Sequence, residues 1–311
     1  MSVLDIHRAS VGVSIQDAGR KGYLRYGISG AGPMDWARHA MANHMLAKPP
    51  GEAVIEVGPA GVGLSLDAGQ LQMSFAGPGF RLELGNQTLA CPASFVLKAG
   101  QRLEVVPRAG AMWGYLGIQG AIEVPPLLGS YAENSVSGLC ARKLRTGSRL
   151  PVRSDEIKNT VVQAYIDPYI AFENQPLGLL PSSQFDDFSD KMKALLVSKP
   201  LSIAPRFDRM AYQLRGLQLN CDKGHDILSD GVTMGALQVP GDGRPFVLMA
   251  DHQPTGGYPK IACICKADLP RIAQMAPGKL FTLQWMTPDQ GLKRWFSIKQ
   301  QIQSMTALRG V

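Results

Sequence analysis

Glycine and proline punctuation decides most of what this chain can become. Its 311 residues include 34 glycines and 22 prolines, scattered rather than clustered, with no low-complexity tract. Over residues 61–124 they separate short apolar or alternating segments, with turns at Asp67-Ala68-Gly69, Gly85-Asn86 and Lys98-Ala99-Gly100. Arg81-Leu82-Glu83-Leu84 and Leu103-Glu104-Val105-Val106 carry the near two-residue period of half-buried strands. Short strands at this spacing build a barrel or a sandwich, so the expected fold class is mainly β with a few helices.

A hydrophobic content of 45% over this length fills one large core or two ordinary ones. The strand pattern ends in the polar stretch Arg153-Ser154-Asp155-Glu156, which predicts a division into residues 1–155 and 156–311. A helix is expected over 35–47, opened by Pro33 and Asp35 and closed by Pro49-Pro50-Gly51, with Trp36, Ala37, Ala40, Met41, His44 and Met45 on one face. In the second half helices are expected over 184–197 and 269–275, the latter capped by Asp268. Thr287-Pro288-Asp289-Gln290 reads as a capping box opening a terminal helix over 288–306, which either docks on the body through Trp295, Ile298, Ile302 and Met305 or serves as a partner surface.

The formal charge of +7 is spread along the chain among 25 acidic residues, and its tightest basic group, Arg142-Lys143-Leu144-Arg145, has no interleaved aromatics. That disfavours nucleic acid and fits an anionic substrate. Five cysteines without a C-x-x-C pair argue against a disulfide framework or a zinc knuckle, and no metal site is expected. Residues 1–16 contain no apolar signal core and no run is long enough to span a bilayer, so a cytoplasmic location is the expectation. There is no P-loop, and the G-x-G pairs lack the third glycine and the long helix of a dinucleotide site. H-E-x-x-H and G-x-S-x-G are missing too. No cofactor is bound by a recognisable motif.

Two polar clusters in glycine-rich settings remain. The first combines Gln16, Asp17 and Arg20 with residues 27–35, including Gly32 and Asp35 at a helix start. Exposed backbone amides and a helix start favour anions, and Arg20 offers a bidentate clamp for a carboxylate. An Asp17–Arg20 ion pair holding a tight turn is the plainer alternative. The second cluster gathers Arg209, Asp230, Gln238 and residues 251–260, D-H-Q-P-T-G-G-Y-P-K, set between the apolar runs 246–250 and 261–265. Gln238, Gln253, Thr255 and Tyr258 supply neutral donors and acceptors suited to an amide or ureido group. Gly256 and Gly257 let backbone amides approach an oxyanion, or simply close a hairpin.

These segments resemble the C-subunit family of bacterial 5-oxoprolinase, also called the KipA or biotin-dependent carboxyltransferase family (allophanate hydrolase subunit 2-like), over residues 11–284. The matching positions are 16–20, 31–35, Ala42-Asn43, Glu56, 124–130, Asp208-Arg209-Met210, 235–240 and above all 253–259. Ala31 and Pro254 stand where the family tends to have serine and threonine, and His252 is not part of its pattern. The resemblance implies two β-barrel-like domains, a carboxyltransferase subdomain followed by a cyclophilin-like one. It also implies partners, the KipI-like B subunit and the A subunit of 5-oxoprolinase, with which the chain would open the lactam of 5-oxo-L-proline to L-glutamate using ATP bound through the complex. In that reading Arg20 or Arg209 holds the substrate carboxylate and Asp17, Asp230 or Asp251 directs water. Two alternatives stand beside it: a carboxyltransferase half served by biotin on a separate carrier, and a non-catalytic regulator that binds a KipI-type inhibitor.

Overall fold

The structure is a computed structural model and describes residues 2–158, 163–167, 169, 172 and 174–306. The short strands build two sheets in the first half. One runs in the order Gly120–Ile122, Arg149–Ser154, Ser2–Ala9, Val62–Leu66, Arg102–Pro107, Phe80–Leu84, Gln87–Leu89. The other runs Gln163–Ala164, Ala93–Lys98, Gln70–Ala76, Gly114–Ile118, Val54–Val57, Ser14–Gln16. Alternation puts Leu4, Ile6, Leu64 and Leu103 of the first sheet against Ile15, Ile55, Phe75 and Leu116 of the second, and these form one core. The pairing of Gln163–Ala164 with Ala93–Lys98 carries this half past the division expected at 155/156. The second half is a mixed sheet ordered Ser202–Phe207, Ala211–Arg215, Phe246–Leu248, Ala236–Gln238, Lys260–Ile264, Leu177–Pro181, Leu283–Trp285. A two-stranded ribbon pairs Asp230–Gly231 with Thr255–Gly256. The fold is mainly β, as the turn punctuation requires.

Helices α1 (Trp36–His44), α2 (Asp190–Ser198), α3 (Leu269–Ala273) and α4 (Pro288–Gln303) complete the described residues. The expected apolar face of α1 understates its burial: Arg38, His39 and Asn43 are buried along with Ala37, Ala40 and Met41. The helix is a wedge between the halves, and Met34, Met41, Trp113 and Tyr115 share a core with Tyr212, Met249 and Ile261 of the second half. The helix expected over 184–197 is split. A single tight turn, Phe185–Asp187, gives way to an extended Phe188 (φ −112°, ψ 138°) before α2 begins. Phe188 is 1% exposed, and the extended backbone lets its ring enter the core. Asp268 makes no side-chain cap on α3; its carboxylate accepts from the Gly178 amide (2.7 Å), Arg271 and Arg294. The capping box of α4 is present as expected, although the helix ends at Gln303.

Glycine is required where the first half closes on Phe75. A Cβ on Gly114 would lie 2.8 Å from Phe75 Cε2 and closer still to its Cζ. Phe75 cannot retreat, being fully buried and edge-on to Phe80 with centroids 5.6 Å apart. Gly114→Ala should therefore cost about 1–3 kcal/mol by overpacking, read as a lower urea midpoint with an unchanged slope.

His39 supplies a second expectation. It is 2% exposed, its Nε2 lies 3.3 Å from the Gln16 carbonyl, and the Tyr115 ring meets its edge at 5.9 Å. Burial pushes its pKa down from 6.5 to about 4, despite the nearby carbonyls and Asp17. The unfolded chain then binds the proton that the folded one refuses, so this contribution is complete above pH 6.5 and is lost as pH falls toward 4. The loss should reach roughly 3 kcal/mol. Chemical denaturation across that window should show it, and His39→Gln should remove the slope.

Candidate functional site

The halves are tied by one guanidinium. The Asp208 carboxylate accepts from the Met210 amide (2.8 Å) and the Ala211 amide (3.1 Å), closing the turn that presents Arg209 to the first half. Arg209 donates through Nε (3.0 Å) and Nη2 (2.9 Å) to both oxygens of Asp251, through Nη2 to the Gly32 carbonyl (2.7 Å), and through Nη1 to Glu56. Glu56 also accepts from the Met34 amide (2.9 Å) and the Tyr115 hydroxyl (2.8 Å), while that hydroxyl accepts from the Asp35 amide (2.7 Å). Asp251 takes the amide (2.8 Å) and hydroxyl (2.7 Å) of Ser135 as well. Burial works against the charge on Arg209, but Glu56 and Asp251 more than offset it and raise its pKa. Burial likewise pushes the Glu56 carboxyl up, and Arg209, the Met34 amide and Tyr115 pull it back.

This network is placed differently from the roles expected of its members. Arg209, a candidate for holding a substrate carboxylate, already has Nε and both terminal nitrogens engaged by the protein. Asp251, a candidate for directing water, is fully buried with both oxygens engaged. Asp17 accepts from the Gly19 amide (2.9 Å), the Ser130 hydroxyl (2.6 Å) and the Tyr131 amide (2.7 Å), which fixes a loop. Asp35 caps α1 through the Ala37 and Arg38 amides and binds Arg38 (2.9 Å) and Gln274 (2.9 Å). Gly32 serves through its carbonyl. These groups order the site from behind.

Arg20 is different. Its backbone amide donates to Gly30 (2.7 Å) and its Nε to Leu127 (3.2 Å), yet Nη1 and Nη2 are buried with no partner among the described residues. The residue is 5% exposed, and burial lowers its pKa against the pull of Asp17, Cys140 and Asp251. Gly19 permits this placement: it sits at φ +79°, and a Cβ there would lie 2.8 Å from the Gly30 carbonyl oxygen. Arg20 meets the 127–140 segment at the Leu127 carbonyl. Farther along that segment, Glu133 and Ser135 line a cleft of about 830 Å³ with Trp113, Asp208 and Arg209.

The 251–260 loop forms the second polar centre. Asp230 and Gly231 pair with Gly256 and Thr255 in the ribbon. Beneath it Lys260, 3% exposed, donates to Asp230 at 2.6 Å. The bond from Lys260 draws the pKa of Asp230 down, with help from the Gly231 amide. Asp230, expected as a catalytic carboxylate, is thus an ion-paired, half-exposed group. Gln238 is buried and donates to the Tyr258 carbonyl (3.3 Å), while its Oε1 and that of Gln253 are buried without partners among the described residues. Gly256 packs on Gln238: a Cβ would come 2.5 Å from Nε2. The Gly257 carbonyl accepts from the Ile227 amide (2.9 Å), and Tyr258 is 39% exposed, its ring edge-on to Phe246. Burial pushes the His252 pKa down.

The sequence does not mark Tyr115 or Ser135 as site residues, and Lys260 ends the 251–260 cluster without an expected role. Ser135 lies in the unremarkable run Glu133-Asn134-Ser135, and Tyr115 alternates within an apolar strand, so neither is marked locally. Glu56 was marked only by resemblance. Lys260, closing the loop beside a proline and an apolar run, was the most findable: a lysine entering a buried strand needs a carboxylate.

The chain matches the model of the carboxyltransferase domain, subdomain A and B, over residues 26–285. It is 30% identical to the 5-oxoprolinase C subunit of Escherichia coli (strain K12), with 94% of each chain covered. It is equally 30% identical to that of Haemophilus influenzae, again over 94% of each. The crystal structure of the Kluyveromyces lactis urea amidolyase shares the fold at a TM-score of 0.85 and 20% identity, covering 96% of this chain and 20% of that one. The chain belongs to the carboxyltransferase domain family, subdomains A and B.

Proposed function

We propose that this chain is the C subunit of an ATP-dependent 5-oxoprolinase complex, acting with the A and B subunits to convert 5-oxo-L-proline to L-glutamate. The reading is supported by the 30% identity over 94% of two proteins that bear that name. The observation that carries it is the unpartnered guanidinium edge of Arg20. A buried donor without a partner costs about 1–3 kcal/mol, more when charged, and a planar carboxylate is its best complement. The uncommitted carbonyls of Gln238 and Gln253 are acceptors of the kind a lactam N–H needs.

An unactivated lactam is a poor electrophile. In this reading the terminal phosphoryl group of ATP passes to the lactam oxygen and water adds to the activated carbon. The ring C–N bond then breaks as the nitrogen takes a proton, leaving an acyl phosphate that a second water hydrolyses to the free carboxylate and inorganic phosphate. The chain has no P-loop, so ATP is assigned to the complex and not to a loop of this subunit. Its own part is to hold the carboxylate at Arg20 and orient the amide at the 251–260 loop.

Two measurements test this in the assembled complex. Arg20→Met should lower kcat/KM for 5-oxoproline roughly 10- to 100-fold, from loss of a charged hydrogen-bond pair. It should leave any turnover of 2-pyrrolidinone, which lacks the carboxylate, unchanged; an equal loss on both substrates would sink the assignment. Gln253→Met should keep or slightly raise thermal stability, since it removes an unsatisfied polar atom. It should also lower 5-oxoproline-dependent ATP hydrolysis, a split that a purely structural glutamine would not produce.

A further inference from the structure

A second charged surface borders the first polar cluster, where Ala18, Lys21 and Pro33 form part of its wall. Helix α1, helix α4 and the connection before α3 enclose a groove of about 510 Å³ lined by Lys21, Lys48, Lys266, Lys299, Trp36 and Trp295, with no Asp or Glu in its wall. Lys48 is committed, donating to the Ile118 (2.9 Å) and Gly120 (2.8 Å) carbonyls. Lys266 and Lys299 have no ion pair among the described residues. Both ammoniums rest on one ring, 4.7 and 4.9 Å from the centroid of Trp295. Gathering like charges on one indole is unfavourable until an anion joins them. The indole Nε1 is itself buried and has no acceptor among the described residues.

The groove continues onto an apolar ridge. Along α4, Leu292 is 51% and Phe296 58% exposed, and the Phe296 ring lies 5.1 Å from that of Trp295. Residues 292, 296 and 299 follow one another on a helical face, so the ridge leads directly to Lys299. The helix is a rigid platform, fixed by its capping box and by buried Gly291, Ile298 and Ile302. A small anion would use the lysines and leave the ridge bare. A polypeptide with acidic side chains beside apolar ones uses both.

We propose that this groove is the docking site for an acidic segment of a companion subunit, its carboxylates on Lys266 and Lys299 and its apolar residues on Leu292 and Phe296. The inference rests on the reading of the chain as one subunit of a complex, but its test reads assembly rather than turnover. Sedimentation velocity of the chain mixed with the A and B subunits should show association at least tenfold weaker for K266E/K299E. K266R/K299R should retain it, and raising salt from about 50 to about 300 mM should weaken the wild type far more than K266E/K299E. F296S should weaken assembly as well; its position is exposed, and unfolding curves would verify that each variant is folded. Unchanged assembly of folded K266E/K299E, or no assembly of the wild type, overturns the proposal. So does calorimetric binding of inorganic phosphate that K266E/K299E loses while assembly stays intact, which would assign a small-anion site. Failure of the 5-oxoprolinase reading is distinguishable, because it appears as an assembled complex with no 5-oxoproline-dependent ATP hydrolysis.

Discussion

Arg209 is the interaction on which the rest depends. It reaches from a turn of the second half to Glu56 on a strand of the first, to the Gly32 carbonyl before α1, and to Asp251 at the head of the 251–260 loop. Burying a guanidinium and two carboxylates carries a large desolvation penalty, and removing one member of such a group costs about 3–5 kcal/mol because the others are left uncompensated. The gain is positional. One planar group with its donors in fixed directions sets the relation of the halves, the start of α1 and the root of the loop together.

Helix α1 completes that arrangement by filling the space Arg209 spans. Its residues pack on the strand Gly114–Ile118 below and on α3 and α4 above, so little of it meets water. Gln274 links the same three parts, accepting from the Trp113 amide and donating to the Trp113 carbonyl and to Asp35. The Trp113 indole donates to Tyr212 of the second half at 2.9 Å. A seam made this way is a core, not a hinge.

What the sequence made legible was local. Turn residues revealed the strands, Thr287 to Gln290 revealed the start of α4, and Asp35 was recognisable as a helix start because the signal lies within a few residues of its effect. What it hid was the partners at long separation. Glu56 lies 153 residues before Arg209 and Asp251 lies 42 after it, and nothing near any of them specifies the others. The one-sided reading of α1 failed for the same reason: a helix between two bodies needs no polar face, and its buried Arg38 is compensated by Asp35 and Asp167, the latter 129 residues away. Carboxylates read from the sequence as chemical groups became caps and ties once those distances closed.

Arg20 and Arg209 show how differently two buried guanidiniums can be satisfied. Both are buried, and both are within reach of Asp251's field. Every nitrogen of Arg209 is engaged by the protein, so its charge serves the fold. Arg20 is held by its backbone amide and its Nε, which orients the guanidinium without satisfying its outer edge. Satisfying that edge with a protein carboxylate would have stabilised the chain, and Asp17 is close enough in sequence to serve. Its oxygens are instead turned to Gly19, Ser130 and Tyr131. The loop thus holds Arg20 in place with its outer edge unmet by any described residue, which in the proposed reading leaves that edge for a substrate carboxylate.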